Sequence, residues 1–399
     1  MNILFVTEIE ISPIQGGTEH ITHTLTGAFR ALGHRCCLVY VRPIDADLQP
    51  TLFDAKQQLV FDDTLPTQIG DFLRKEQINI VIVNLVSIKS KKAIMPSLYA
   101  QAHQLNTKVI ACYHAMPGED IIPSDWRHIW YQIVHCYGLN QAFKDLFLHI
   151  SPTWLNRRLV RSKYKLMPEY ADAFVLLSTK FYEPYLRIAG SINHANFYAV
   201  GNALSFPENI EENKIATKQP IVLIVARQQE RSKRLSMALR VWQQIEKEAD
   251  LKNWKLQIVG GGPDSSYYKQ LHKELGLQRC ELLGRQPEIV PYYESASIFM
   301  MTSSFEGFGI TLTEAQQFGC VPIVQNTYAS LTDIIQGEKN GIIVDSNDAK
   351  VYAQQLAQLM RDSKKREEMA RAGLQSCKQF SQERVIEIWL NMFNRLLTE

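Results

Sequence analysis

Short apolar runs alternate along the chain with longer amphipathic stretches. "NILFVT" (2–7) precedes a predicted helix at 17–32. Then come "CCLVYV" (36–41), a helix before Gln77, "INIVIVNL" (78–85), a helix near 91–104 and "KVIACYH" (108–114). "AFVLLS" (173–178) and "FYAV" (197–200) add two more strands. Nearly unbroken apolar runs suit strands buried on both faces, and their alternation with helices predicts a parallel sheet covered on both sides. The pattern pauses at 201–220, where turn formers and charges replace apolar periodicity. It restarts with "IVLIVA" (221–226), "KLQIVGGG" (255–262), "CELLG" (280–284), "SIFMMTS" (297–303), "VPIV" (321–324) and "GIIV" (341–344), again interleaved with helices. The expected organisation is a first doubly wound domain over 1–203, a linker over 204–220 and a second over 221–380. A last helix over 381–399 carries an apolar stripe at 385, 388/389, 392/393 and 396/397. That stripe fits a core-facing helix of the second domain or one crossing back to the first.

A length of 399 residues accommodates two such domains. The net charge of +2 gives no global case for a nucleic-acid partner. "MNILFVTEIE" is too short an apolar run for a signal peptide and lacks the positively charged n-region, and "INIVIVNLVSI" falls short of a membrane span. Seven scattered cysteines without a CxxC fit a reduced, cytoplasmic compartment with neither a disulfide frame nor a zinc site.

Chemistry concentrates in "SSFEGFGITLTEAQQFGCVPIV", 303–324. Glu306 falls in a strand-to-helix loop. Glu314 falls one to two turns inside a helix that starts near Gly309 and stops at Gly319. Gly307 and Gly309 allow close backbone approach to a ligand, and a helix N-terminus suits phosphate. Carboxylates on either side suit sugar and ribose hydroxyls. From spacing alone, a capping acid and a solvated helical acid explain the pair equally well.

"EGFGITLTEAQQFGCVPIV" resembles the E-x7-E signature of retaining GT-B glycosyltransferases of the GT4 type. "GGTEHITHTLTGAFRALGHRCCLVY", "CYH", "ADAFVLLS", "VARQQERSK", "LQIVGGGPD" and "LLGR" follow that family's order along nearly the whole chain. The resemblance implies two Rossmann-like domains facing a cleft and transfer of a hexosyl group with retention. The implied donor is a UDP-sugar or GDP-mannose, and the implied acceptor is a glycan or lipid-linked molecule. It also implies roles. Glu306 would bind donor-sugar hydroxyls, and Glu314 the ribose diol. The backbone of Phe308, Gly309 and Ile310 would meet the diphosphate, whose charge Arg227 and Lys233 would neutralise. Gly16 and Gly17 would approach the diphosphate and acceptor. Gly261 would lie in a tight turn near the diphosphate and Arg285 near the nucleobase. His114 would hydrogen-bond the transferred sugar. No metal or other cofactor is expected, since Arg227, Lys233 and the helix start supply the positive charge.

The chain departs from the family at "VAR" for V-G-R and at Arg234, where glycine or asparagine is usual. In "NTYASLTDII" (326–335), Asp333 stands where a glutamate is common. The stretch 139–168 carries Lys144, Arg157, Arg158, Arg161, Lys163 and Lys165 among Phe143, Phe147, Trp154 and Leu155, with one acid, Asp145, amid the cations. It fits peripheral contact with an anionic membrane or, equally, a solvated face. Trp126, Trp130 and Tyr131 upstream read as packing residues. Two other functions share the donor motifs: a nucleotide-sugar epimerase and a non-catalytic sugar-nucleotide-binding scaffold.

Overall fold

The computed structural model describes residues 1–11, 17–44, 52–190, 192 and 196–398. In chain order the first elements are β1 (Asn2–Ile9), α1 (Gly17–Ala31), β2 (Arg35–Arg42), β3 (Ala55–Gln58), α2 (Leu65–Lys75), β4 (Ile80–Asn84), α3 (Ile88–Gln104) and β5 (Lys108–Tyr113). Then follow α4 (Trp126–Val134), α5 (Leu139–Ile150), α6 (Thr153–Glu169), β6 (Ala173–Leu176), α7 (Tyr182–Ala189) and β7 (Phe197–Ala199). The later part holds β8 (Gln219–Val225), α8 (Glu230–Lys233), α9 (Leu235–Ile245), β9 (Lys255–Val259), α10 (Ser265–Glu274), β10 (Cys280–Gly284), α11 (Val290–Ser295) and β11 (Ala296–Met301). It ends with α12 (Ile310–Gln317), β12 (Val321–Gln325), α13 (Leu331–Ile334), β13 (Ile342–Val344), α14 (Ala349–Arg361), α15 (Ser363–Ser376) and α16 (Gln382–Thr398). Among the described residues, no helix is long and apolar enough to cross a membrane.

The chain divides into two compact units. The first is 1–120 with 154–205 and 380–399; the second is 121–153 with 206–379. The contiguous cut expected near 203 therefore does not describe the chain, because 121–153 leaves the first half to join the second unit. The stretch expected to be a linker is itself packed: the Gln317 amide on α12 donates to the carbonyls of Phe206 (2.6 Å) and Glu208 (2.8 Å).

In the first unit the parallel sheet runs β3-β2-β1-β4-β5-β6-β7. β1 and β4 are apolar and buried on both faces, as a sheet covered by helices on both sides requires. α16 packs in this unit. Val385, Ile386, Trp389, Met392, Phe393 and Leu396 are buried, with the Phe393 ring 5.5 Å from Phe29 of α1. Of the two placements open for the terminal stripe, the structure takes the crossing one. α6 is held to β5 by Tyr164, whose hydroxyl accepts from Tyr113 (3.0 Å) and from the Gly118 backbone (2.8 Å).

The second unit's parallel sheet runs β10-β9-β8-β11-β12-β13. The strand order reverses between β8 and β11. Ligands of doubly wound sheets bind off the carboxyl ends of the strands at such a switch point. The segments after β8 and β11 carry Arg227, Lys233 and Glu306, with Lys233 the last residue of the short helix α8.

Candidate functional site

The two loops at the switch point are sewn together. Thr302 donates its hydroxyl to the carbonyls of Lys233 (3.3 Å) and Arg234 (3.1 Å), and the Ser304 amide donates to the Ser232 carbonyl (2.8 Å). Thr327 and Ser330 donate to the carbonyls of Ser303 (2.7 Å) and Gly307 (3.2 Å) from the other side. This clamp brings the Lys233 ammonium to 2.5 Å from Glu306 Oε1, which also accepts from the Ser303 hydroxyl at 2.6 Å. Both side chains remain partly exposed. The partner of Glu306 is thus a lysine 73 residues away. Such a pair presents a cation for phosphate beside a carboxylate for hydroxyls.

Gly309 caps α12 in the left-handed region, at φ 94°. A Cβ there would sit 2.8 Å from the Tyr328 hydroxyl and 3.2 Å from Leu312, so the position demands glycine. Phe308 is buried and Ile310 opens α12, so the helix start predicted near Gly309 is where the structure has it. Glu314 is buried inside α12, and its Oε2 accepts from the Tyr293 hydroxyl at 2.8 Å. Burial first, then the neighbouring Glu314, pushes the Tyr293 phenol well above its ordinary range, so it stays a donor. One oxygen of Glu314 is therefore engaged by the protein.

The glycine triplet after β9 is a packing device. The loop after β8 continues the ladder: Ala226 donates to Val259 (3.0 Å) and Gln228 to Gly261 (3.0 Å), and Asp264 donates back to Gln228 (3.0 Å). A Cβ on Gly260, at φ 126°, would lie 2.0 Å from the Ala226 carbonyl oxygen, and one on Gly262 2.4 Å from that of Gln228. Gly261 is different: its nearest neighbours, in Arg285, would be 3.8 Å away. Arg227 and Arg285 are exposed. Arg234 also has a backbone explanation. It adopts φ 45°, ψ 48°, a conformation easy for glycine or asparagine and strained for arginine. Its guanidinium is held by Gln325 (2.5 Å) and Asn347 (3.3 Å).

Sequence reasoning missed how 121–153 attaches. Asp145 is fully buried, with Oδ1 3.5 Å from Arg231 Nε. Arg231 also donates to the Ile122 carbonyl (2.9 Å) and lies 5.5 Å over the ring of Phe305, the neighbour of Glu306. His128 and Asp264, both buried, approach to 3.3 Å. The available signal was the lone acid in a basic stretch, since a buried acid needs a cation. Trp126 and Trp130, expected as packing residues, are exposed, Trp130 to 68%. They form one stripe of α4 with Val134, and Phe143, Phe147 and Ile150 form another on α5.

In the first unit, Gly17 opens α1. Gly16 lies outside the described residues. His114 follows β5, half-buried, with Nε2 2.9 Å from Asn84 Oδ1 at the end of β4. Burial, reinforced by the Lys91 ammonium, lowers its pKa to about 4, so the ring is neutral at physiological pH.

Residues 205–376 match the family model for glycosyl transferases group 1. The chain is 28% identical over 225 residues to the amylovoran biosynthesis glycosyltransferase AmsD of Erwinia amylovora, covering 55% of this chain and 62% of that protein. It is 25% identical over 248 residues to a Campylobacter jejuni alpha-1,4-N-acetyl-D-galactosaminyltransferase that acts on a diphospho-undecaprenol-linked glycan, covering 61% of this chain and 66% of that one. The aligned stretches thus span less than two thirds of either relative. The crystal structure of HepE from Anabaena in complex with UDP superposes over all of both chains with a TM-score of 0.71 at 14% identity. The shared architecture is the GT-B fold.

Proposed function

We propose that this chain, a group 1 glycosyltransferase by residues 205–376 and of GT-B fold, transfers a hexosyl group with retention from a nucleotide-sugar to a glycan or lipid-linked acceptor. The observation that carries this reading is the Lys233–Glu306 pair clamped at the switch point beside the α12 N-terminus. The donor diphosphate meets Lys233, Arg227 and the backbone at Phe308, Gly309 and Ile310. These groups balance the charge that builds on the leaving diphosphate as its bond to the sugar breaks, without a metal. Glu306 accepts from sugar hydroxyls and Glu314 from the ribose. Gly261 and Arg285 flank the nucleotide. In this reading no enzyme nucleophile takes part. The acceptor oxygen bonds the anomeric carbon on the face the phosphate leaves, and its proton passes to a phosphate oxygen.

The amylovoran biosynthesis served by AmsD and the diphospho-undecaprenol-linked glycan of the Campylobacter enzyme support a place in cell-surface polysaccharide or glycolipid synthesis. The UDP bound by HepE supports a UDP-sugar. Thermal stabilisation by UDP, GDP, ADP, CMP and dTDP tests the donor site, because a ligand of the native state raises its stability. One nucleotide should raise Tm, and Glu314→Ala should weaken that shift. No shift with any nucleotide would return the scaffold reading to the front.

Location at the cytoplasmic face of a membrane, through peripheral contact, is part of the same proposal. α5 exposes Phe143, Phe147 and Lys144, and α6 exposes Trp154, Arg158 and Leu159. Lys163 is paired with Asp120 at 2.6 Å. Arg161 is committed to the Ile188 carbonyl at 3.4 Å. Trp154→Ser with Arg158→Ser should reduce co-sedimentation with vesicles of anionic lipid and leave neutral vesicles unaffected. Undiminished sedimentation would make α6 an ordinary solvated face.

A further inference from the structure

A chain of hydrogen bonds in the first unit runs from the backbone of α1 to the imidazole after β5. The Thr22 hydroxyl donates to the Thr18 carbonyl at 2.8 Å. Its only proton is thereby used, so towards Asn84 it can only accept, and Asn84 Nδ2 lies 2.9 Å away. That contact orients the amide. The opposite flip would set two oxygens without a shared proton against each other, with Thr22 and Asn84 both buried from water. The Asn84 carbonyl oxygen therefore faces His114 Nε2, at 2.9 Å. A carbonyl only accepts, so Nε2 carries the proton.

We infer that Thr22 and Asn84 are positioning residues that hold His114 as the neutral Nε2–H tautomer, leaving Nδ1 to accept a hydrogen bond from a substrate hydroxyl and to disfavour a carboxylate there. The charges around the ring agree. Lys91 on α3 is its charged neighbour and opposes an imidazolium, while Cys112 and Tyr113 on β5 are kept neutral by burial. The cavity beside the ring is otherwise lined mainly by apolar side chains, including Ile21, Leu25, Val175 and Trp389, with Asn202 as an uncharged polar neighbour. That the hydroxyl belongs to the transferred sugar rests on the glycosyltransferase reading; the tautomer does not.

The test is a long-range proton–nitrogen correlation spectrum of the full chain labelled with 15N-histidine, with His114 identified by its absence in His114→Gln. A neutral Nε2–H pattern is expected at pH 6 and 7. An Nδ1–H pattern, or an imidazolium at pH 7, overturns the inference. Asn84→Asp keeps the shape and the acceptor but sets a carboxylate against the ring, which favours the imidazolium. Its imidazolium signal should persist at least about one pH unit higher than in the wild type, and kcat/KM should fall over the pH range where that signal appears and recover above it. Thr22→Val, which frees the amide to flip, should show both tautomers. A folded Asn84→Asp with an unmoved spectrum, or a Thr22→Val with one unchanged tautomer, overturns the relay. The spectra need no substrate, so the relay and the glycosyltransferase reading fail separately.

Discussion

Glu306→Ala should abolish most sugar transfer, with kcat falling by about 10²–10³, while nucleoside diphosphate binding survives. The geometry separates the two effects. Glu306 neutralises Lys233 at 2.5 Å, so removing the carboxylate leaves the ammonium free for phosphate. On the proposed role of Glu306, the acceptor for the sugar hydroxyls is lost in the same step. Glu306→Gln should be intermediate, because it keeps one oxygen but cannot balance the lysine. Steady-state kinetics and a UDP or GDP titration, whichever nucleotide stabilises the protein, decide the matter. Unchanged turnover would remove Glu306 from the site. A parallel collapse of nucleotide binding would make the pair a fold-stabilising bridge.

The second large effect is structural. Gly260→Ala forces a side chain onto φ 126° and brings its Cβ to 2.0 Å from the Ala226 carbonyl oxygen. That oxygen is backbone and cannot swing aside, so β9 and the loop after β8 must part. The expected cost is about 3 kcal/mol or more of the second unit's stability. The resulting shift of Arg227 and Lys233 should weaken nucleotide affinity as well. Gly261→Ala is the internal control, since its nearest neighbours lie at 3.8 Å. It should leave Tm almost unchanged. If it nevertheless impairs nucleotide binding, the diphosphate runs close to that backbone. An undisturbed Tm in Gly260→Ala would refute the packing account.

Much of the site is legible in the chain because helix starts and stops depend on a few neighbouring residues. The apolar run before Ser303, Gly309 at the start of α12 and Gly319 after it locate Glu306 in a loop and Glu314 in a helix without knowledge of the rest. The near-continuous apolar runs likewise identify two parallel sheets, and the stripe on α16 identifies one buried face. The terminal stripe could not say which core it covers, because any apolar face would serve.

What the tertiary structure alone decided is pairing over distance. β8 and β11 become neighbours only when the second sheet assembles, and that adjacency brings Lys233 to Glu306. Asp145 shows the same dependence. In the sequence it is one acid among cations; in the fold it is buried against Arg231, and 121–153 joins the second unit. The proton inferred on His114 Nε2 depends on the same kind of contact. Local propensity acts over about a turn of chain, so the sequence by itself determined the elements, the glycine stops and the residue types available for chemistry. Charge compensation, hydrogen-bond direction and burial depend on atoms brought together from far apart, and those only the folded chain could assign.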